Sequence, residues 1–356
     1  MNDPATTAEA FAERLLGAFL GAADLLSVYV GDRLGLYAAL RDRSLTAPEL
    51  ARHANMSERY AREWLEQQAV SGILTVDDAA KAAAERHYAL PAAQAEVLTD
   101  GDSLNYVTPL ARFLVAIGGR LPDLLAAYRA GSGISWEAFG EDAWQGQADL
   151  NRPLFTRQLA QEILPGIPPV HAALRAGARV ADIACGAGWS SIAIAKGYPK
   201  ARVDGYDVDT RAIAAAHEHA AIAGVADRVT FHAEEATAEH GTYDLVTIFE
   251  ATHDFALPVD VLRAVRGMLS PGGSALVMDE RVADAFTAPG DDVERLMYAW
   301  SVFLCLPNGL AERTSAATGT VMRTSTLRGY ALDAGFGTVE VLDVEHPFFR
   351  FYRLLP

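Results

Sequence analysis

Cysteine is scarce: Cys185 and Cys305 are the only two in 356 residues. They show no C-x-x-C spacing, which argues against a zinc-cluster domain or a disulfide framework and fits a reducing cytoplasm. Positive charge is short as well. Thirty Lys and Arg stand against 46 Asp and Glu, a formal charge of −16, which disfavours nonspecific attraction to nucleic acid or to an anionic membrane. The opening residues MNDPATTAEAF lack the basic start and apolar centre of a secretory leader, and no stretch reads as an uninterrupted membrane span. The remainder, 51% hydrophobic and 21% charged, has the composition of a folded protein long enough for more than one domain.

The chain is organised around Ala178 to Asp209. This stretch reads as an apolar strand (ARVADIA), a glycine-rich turn, a short helix and a second strand closed by acid (GYDVD). Gly186 and Gly188 let a ligand approach the main chain, and Asp182 and Asp207, at two successive strand ends, can accept hydrogen bonds from ligand amines and hydroxyls. That is a nucleoside-type pocket; the plainer alternative is a tight strand-to-helix turn. A dinucleotide fingerprint G-x-G-x-x-G fails, because Gly186 and Gly188 are followed by Ser191. The segment resembles motif I of class I S-adenosylmethionine-dependent methyltransferases, and GYDVD resembles their ribose-binding strand end. The resemblance implies S-adenosyl-L-methionine as cofactor. Asp182 and the backbone from Ala184 to Gly188 would then face its methionine part, and Asp207 with Val208 its ribose. Glu235 would accept the adenine amine, Ala236 would offer its backbone N–H to the ring, and Phe249 would lie alongside. Two departures stand out: Ala184 where the family commonly has glycine, and Glu235 where it often has aspartate.

Before this stretch, Thr7 to about Leu40 is helical in pattern and carries more apolar residues than a small domain can bury, which points to a partner surface. Thr46 with Glu49 reads as a capping box, Ser57 opens a helix turning Tyr60, Trp64 and Leu65 inward, and ILTV with HYAL reads as a two-stranded wing. The whole is winged-helix-like, but Arg59 and Arg62 face Glu58, Glu63 and Glu66, a poor balance for phosphate contact. In several small-molecule methyltransferase families such a domain serves dimerisation, so the resemblance implies a homodimer. The middle reads as helices interrupted at Gly118, Pro122, Pro165 and Pro168. Trp136, Phe139 and Trp144 there form a candidate wall for an organic substrate. From Ala178 strands and helices alternate, and the last two strands form a hairpin. The expected fold is α/β: a doubly wound Rossmann-like methyltransferase sheet with a terminal antiparallel strand, plus an N-terminal winged-helix-like helical domain. The expected division is 1–91 for dimerisation, 92–174 as helical connector and substrate cover, and 175–356 for the cofactor.

The fourth strand ends as TIFEATHDF, which places Phe249 and Glu250 at the cofactor face and His253 just beyond. A neutral imidazole there can take a proton from a hydroxyl, amine or activated carbon as the methyl moves, with Asp254 or Glu250 orienting it. Met278, Asp279 and Glu280 end the fifth strand on the same face, and His346 or Tyr298 can reach it. Related C-methyltransferases for 2-oxo acids resemble this arrangement and use iron held partly by a second histidine; the corresponding helix here offers Cys305, so no metal is expected. In outline the whole chain, with its E-x-x-H-D and C-L-P features, is similar to mycobacterial winged-helix methyltransferases. The implied function is methyl transfer to a small organic acceptor through O, N or activated C. The alternative is an S-adenosylmethionine-binding transcriptional regulator that uses its winged helix on DNA.

Overall fold

The computed structural model describes residues 7–237 and 240–356; residues 1–6, most of the opening stretch read above for its missing leader, lie outside the described residues. Contacts divide the chain into two compact units, 1–118 with 145–150, and 119–144 with 151–356.

In the first unit a helix spans Ala8–Arg33, its N-terminus capped by the Thr7 hydroxyl accepting from the Ala10 amide. Gly35, at φ 66°, turns the chain left-handed into a short helix, Leu36–Leu40. Helices Ala47–His53, with the Thr46–Glu49 capping box formed, and Glu58–Val70 follow. Strands β1 (Thr75–Val76) and β2 (Tyr88–Ala89) pair antiparallel as the wing. Trp64 and Leu65 are buried as expected, whereas Tyr60 is 74% exposed: it sits four residues before Trp64 but on the part of the helix that nothing covers. Arg59 pairs with Glu63 and Arg86 with Glu66, so these cations are already engaged by carboxylates.

One expectation is corrected here. The helix Ala8–Arg33 is long and apolar enough, by length and composition, to cross a membrane, because its charges cluster towards its ends with Asp24 the interruption between. One side of it is nevertheless tied into its own unit. Asp24 accepts from Gln67 and Ser71, the Ser27 carbonyl accepts from the Trp64 indole, and Asp32 takes two bonds from the buried Arg112, which also reaches Asp149.

A second correction concerns the middle. Helix Pro109–Ala130 runs straight through Gly118 and Pro122, and helix Glu141–Leu154 contains Pro153. Burial of Phe113, Ala116, Leu124 and Ala127 at helical spacing outweighs the amide that the proline lacks. Pro165 and Pro168 do mark new starts, of a 3-10 turn and of helix Pro168–Ala176. Between them and the helix before lies a π-helical stretch, Phe155–Ile163.

The second unit is built on a seven-stranded sheet of β3 (Arg179–Ile183), β4 (Arg202–Tyr206), β5 (Val229–His232), β6 (Tyr243–Phe249), β7 (Leu269–Glu280), β8 (Thr338–Val341) and β9 (Phe349–Leu355). The order is β5-β4-β3-β6-β7-β9-β8, parallel except for β9, which runs antiparallel to both β7 and β8. Successive strand residues feed two cores: Val180, Leu245 and Leu276 on one face, and Ala181, Val246 and Val277 on the other. Burial on both faces explains why these strands read as continuous apolar runs rather than alternating ones. The chain leaves β3 towards β4 and β5 and then returns to its other side as β6, so the switch point of the doubly wound sheet lies at the carboxyl ends of β3 and β6.

Gly31 is where the first helix meets the wing domain most closely: a Cβ there would lie 2.4 Å from Tyr37 and 2.6 Å from Trp64, whereas one on Gly21 would meet nothing within 4 Å. Gly31→Ala should therefore destabilise the protein by about 1–3 kcal/mol, and Gly21→Ala should stabilise the helix by up to about 1 kcal/mol. Urea unfolding of the two variants checks this, and equal midpoints would refute the contact.

Candidate active site

At the switch point the loop between β3 and helix Trp189–Gly197 bends through three residues in the left-handed region: Ala184 (φ 55°), Gly186 (φ 51°) and Gly188 (φ 78°). Each glycine is required for a different reason. A Cβ on Gly188 would strike Phe231 at 2.6 Å and Ala216 at 2.9 Å, whereas one on Gly186 would meet no protein atom within 4 Å. Open space therefore lies directly over the main chain at Gly186, as a ligand-approaching loop requires. Ala184 holds its left-handed angle at a cost of about 1–2 kcal/mol.

Asp182 is 1% exposed and accepts three hydroxyls: Ser190 and Ser191 at 2.6 Å on one oxygen and Thr247 of β6 at 2.7 Å on the other. Burial raises its pKa and these hydroxyls oppose the rise. Asp207, just past β4, takes the Gly186 amide on one oxygen and the Asp209 amide on the other, both at 2.8 Å. One lone pair on each oxygen is left for a further donor such as a ribose hydroxyl. The structure thus brings Asp207 to the glycine loop. Val208 is 68% exposed. Glu235 is exposed beyond β5, next to a half-buried Ala236. Phe249 is buried, its ring 5.8 Å from Phe155.

Glu250 follows at φ 54°, donating its amide to the Met278 carbonyl, and leads into the 3-10 turn Thr252–Asp254. This turn buries His253 to 2% exposure. The orienting group is not the one expected. Nδ1 of His253 lies 2.8 Å from Asp279 Oδ1 and 2.9 Å from Glu280 Oε2, and Asp254 Oδ2 is 3.7 Å from Nε2. Asp279 and Glu280 prevail because β7 pairs directly with β6 and so ends beside the turn. A carboxylate only accepts, so Nδ1 carries a proton, and in the neutral ring Nε2 presents the lone pair. Burial alone lowers the His253 pKa, but Glu280, Asp279 and Asp254 together push it well above the ordinary histidine value.

Cys305, in the π-helical stretch Ser301–Cys305, is also near. Its thiol and donor atoms of His253 and Asp254 lie within 4.8 Å of one another, and burial raises its pKa to about 12. Donor atoms of His253, Asp279 and Glu280 are equally close. Both groups share one imidazole, whose Nδ1 is committed to Asp279. The segment bearing the expected aromatic wall packs on the same helical stretch, Ile134 donating to the Pro307 carbonyl at 2.9 Å. Phe139 there is buried, and Trp136 and Trp144 are half-buried. His346 caps the β8–β9 connection by accepting from the Phe348 and Phe349 amides, and Tyr298 accepts from Arg323 at 3.4 Å. Cys185 is a buried filler that a Cβ on Gly205 would touch at 2.9 Å. A cleft of about 450 Å³ between His171, Arg175, Tyr198 and Lys200 opens beside the segments that enter β3 and β4, away from these strand ends.

Sequence reasoning missed the hydroxyl clamp on Asp182, for which the Ser-Ser pair after the glycine turn was the available signal. It also missed Trp189, whose ring stacks on His219 at 4.1 Å and lies 4.9 Å from the Arg152 guanidinium. That stack sets a cation beside the glycine loop.

Residues 174–314 match the model of a methyltransferase domain and residues 22–100 that of an Rv2258c-like winged HTH domain. Among solved structures, an O-methyltransferase family protein from Burkholderia thailandensis matches with a TM-score of 0.69 and 20% identity, over 99% of this chain and 98% of that one. Human N-acetylserotonin methyltransferase in complex with S-adenosylmethionine matches with a TM-score of 0.66 and 16% identity, over 99% of both chains. At these identities the likeness is one of fold. Of curated relatives, the ubiquinone biosynthesis O-methyltransferase of Burkholderia orbicola is 38% identical over 28% of this chain and 42% of its own length. That of Ralstonia nicotianae is 31% identical over 48% of this chain and 68% of its own length. With that relative, the matching methyltransferase domain and a glycine loop left open for a nucleoside ligand, the chain belongs to the S-adenosylmethionine-dependent methyltransferases.

Proposed function

We propose that the chain methylates a hydroxyl oxygen of a small organic acceptor, with His253 as general base. The observation that carries this reading is the bond from Nδ1 to the buried Asp279, which fixes the tautomer and turns Nε2 to the acceptor. When bound, S-adenosylmethionine supplies an electrophilic methyl group: the acceptor oxygen forms a bond to that carbon as the carbon–sulfur bond breaks to a thioether. Nε2 takes the acceptor's proton while Nδ1 keeps its own. Asp182 shapes the cofactor loop, through the hydroxyls it holds, more than it touches the ligand. Asp207 would take the ribose, Glu235 and Ala236 the adenine, and Gly186 would admit the methionine part while Gly188 lets the loop pack on Phe231; Arg152 would supply a cation towards the methionine carboxylate. Val208 and Phe249 flank the nucleoside. Oxygen is preferred over nitrogen or carbon as the accepting atom because the relatives' names are those of O-methyltransferases. A cytoplasmic setting is supported by two buried free thiols.

The first unit serves as the dimer surface in this reading. Leu15, Leu16, Phe19 and Leu20 on the helix Ala8–Arg33 are each more than half exposed, an apolar patch of the kind that marks a protein partner. Light scattering at micromolar concentration should give twice the monomer mass, and Phe19→Glu with Leu16→Glu should give the monomer; a parent mass that stays monomeric at rising concentration removes the proposal.

For the cofactor, Asp207→Ala should weaken S-adenosylmethionine and S-adenosylhomocysteine binding by about 1–3 kcal/mol, read by isothermal titration. Unchanged affinity would mean the ribose lies elsewhere. For the base, a screen of phenols and other hydroxylated aromatics by mass spectrometry supplies an acceptor. His253→Ala should then lower turnover by about 10²- to 10⁴-fold and leave cofactor affinity intact. Since the base acts in its neutral form and its pKa is raised, the rate should climb with pH through a limb above the ordinary histidine value of about 6.5. A limb at or below that value, or near-parental turnover of the variant, would remove this assignment.

A further inference from the structure

We propose that Asp279 and Glu280 hold one proton between them, with Glu280 as the protonated member, and that Glu280 is thereby a positioning residue for the base. This rests on the reading of His253 as base. The geometry sets the problem. Two carboxyl oxygens lie 2.8 and 2.9 Å from the same ring nitrogen, and that nitrogen has one proton to give. Asp279 receives it, and its same oxygen also accepts the Glu280 amide at 3.1 Å. Glu280 Oε2 and Asp279 Oδ2 are buried and receive no donor. Asp279 is 2% exposed and Glu280 11% at the side chain.

The groups facing the imidazole are Asp254, Asp279 and Glu280, with the Cys305 thiol beyond. Among the described residues none of the three carboxyls has an ion pair with Lys or Arg. Three ionised carboxyls around one imidazole would leave an uncompensated buried charge, which a protein relieves by keeping a proton. Burial raises the Asp254 pKa as well, but Asp254 is 31% exposed at the side chain and stands 3.7 Å away on the Nε2 side, and Asp279 has two donors. Glu280 has no donor beyond the Nδ1 proton that Asp279 already takes and is the group that stays neutral. Burial pushes Glu280 well above the ordinary carboxyl range and His253 holds Asp279 below it; with Glu280 neutral, the rise at His253 rests on Asp279 and Asp254.

The consequence is a base of moderated strength. A pair with one negative charge is enough to hold the proton on Nδ1 and free Nε2. A second ionised carboxyl at this distance would favour the imidazolium further and withdraw the lone pair from the acceptor. During transfer the acceptor's proton moves to Nε2, the Nδ1 proton stays on the bond to Asp279, and the Glu280 proton remains in place, so no other acid or base is required.

The test uses the full-length protein saturated with S-adenosylhomocysteine, with His253 titrated by NMR of labelled histidine. Glu280→Gln copies the neutral acid and should leave the midpoint within about 0.3 units. Asp279→Asn should lower it less than Asp279→Asn/Glu280→Gln together, because Glu280 can ionise once Asp279 is gone. The double variant should lose about one unit or more. A drop of that size in Glu280→Gln alone would show that Glu280 is ionised and would overturn the proposal. Infrared spectroscopy of the unaltered protein gives a second reading, independent of how the variants fold: a protonated carboxyl stretch at neutral pH that Glu280→Gln removes is expected, and its absence from the parent overturns the pair. Neither readout involves turnover, so a failed base reading, seen as parental activity in His253→Ala, is distinguishable from a failed proton pair.

Discussion

The active end of this sheet depends on a buried carboxylate that has hydroxyls for partners rather than a cation. Asp182 and Thr247 stand opposite each other across β3 and β6. With Ser190 and Ser191 reaching back from the following helix, one side chain ties the two strands at the switch point to the helix that leaves it. Three hydroxyl donors offset a burial that would otherwise favour the neutral acid. The loop from Ala184 to Gly188 is stretched between these ties, and its left-handed turns hold because both of its ends are fixed. A lysine in place of the hydroxyls would neutralise the charge but would take the room where the main chain must stay bare.

A second constraint repeats on the neighbouring strand. β3 and β6 leave the sheet through adjacent non-glycine residues in the left-handed region, Ala184 and Glu250, a conformation that persists only where the surroundings over-determine it. At β3 this turns the backbone towards a ligand; at β6 it turns the chain down into the short helical turn that buries His253. The two acidic sites then differ by their partners. Asp182 is held by hydroxyls that oppose the rise burial gives its pKa, whereas the Asp279–Glu280 end meets an imidazole.

The alternating strands, the closing hairpin, the wing and the capping box were legible because each rests on local pattern: apolar runs, an S/T-x-x-E signature, acids at strand ends. The glycine loop was legible for the same reason, and family resemblance supplied its ligand. What escaped was set by tertiary contact. Pro122 reads as a break, but buried side chains on both sides of it keep one helix continuous. Asp254 and Glu250, near His253 in sequence, looked like its partners, yet pairing of β6 with β7 delivers Asp279 and Glu280 from 26 and 27 residues away. Cys305 looked disqualifying for a cluster and is nevertheless folded against the histidine. The terminal helix was read as more apolar than its domain needs, but not as long enough to resemble a span.

That helix shows how two readings of the same composition separate. By hydropathy alone it suits a bilayer. A bilayer, however, surrounds a helix on all sides, and every polar group on it would need an internal partner. Here Asp24, the Ser27 carbonyl and Asp32 already bond to Gln67, Ser71, Trp64 and Arg112 within the same unit, and Gly31 is buried flat against Tyr37 and Trp64. Lipid could surround this helix on all sides only if those bonds broke and Arg112 were left with half its carboxylates, a costly exchange for a buried guanidinium. From Asp24 onward one side of the helix is held within its unit, while residues 7–21 are exposed throughout; Phe11, Leu15, Phe19 and Leu26 lie outward at spacings of four and seven, the spacing of an apolar helix stripe.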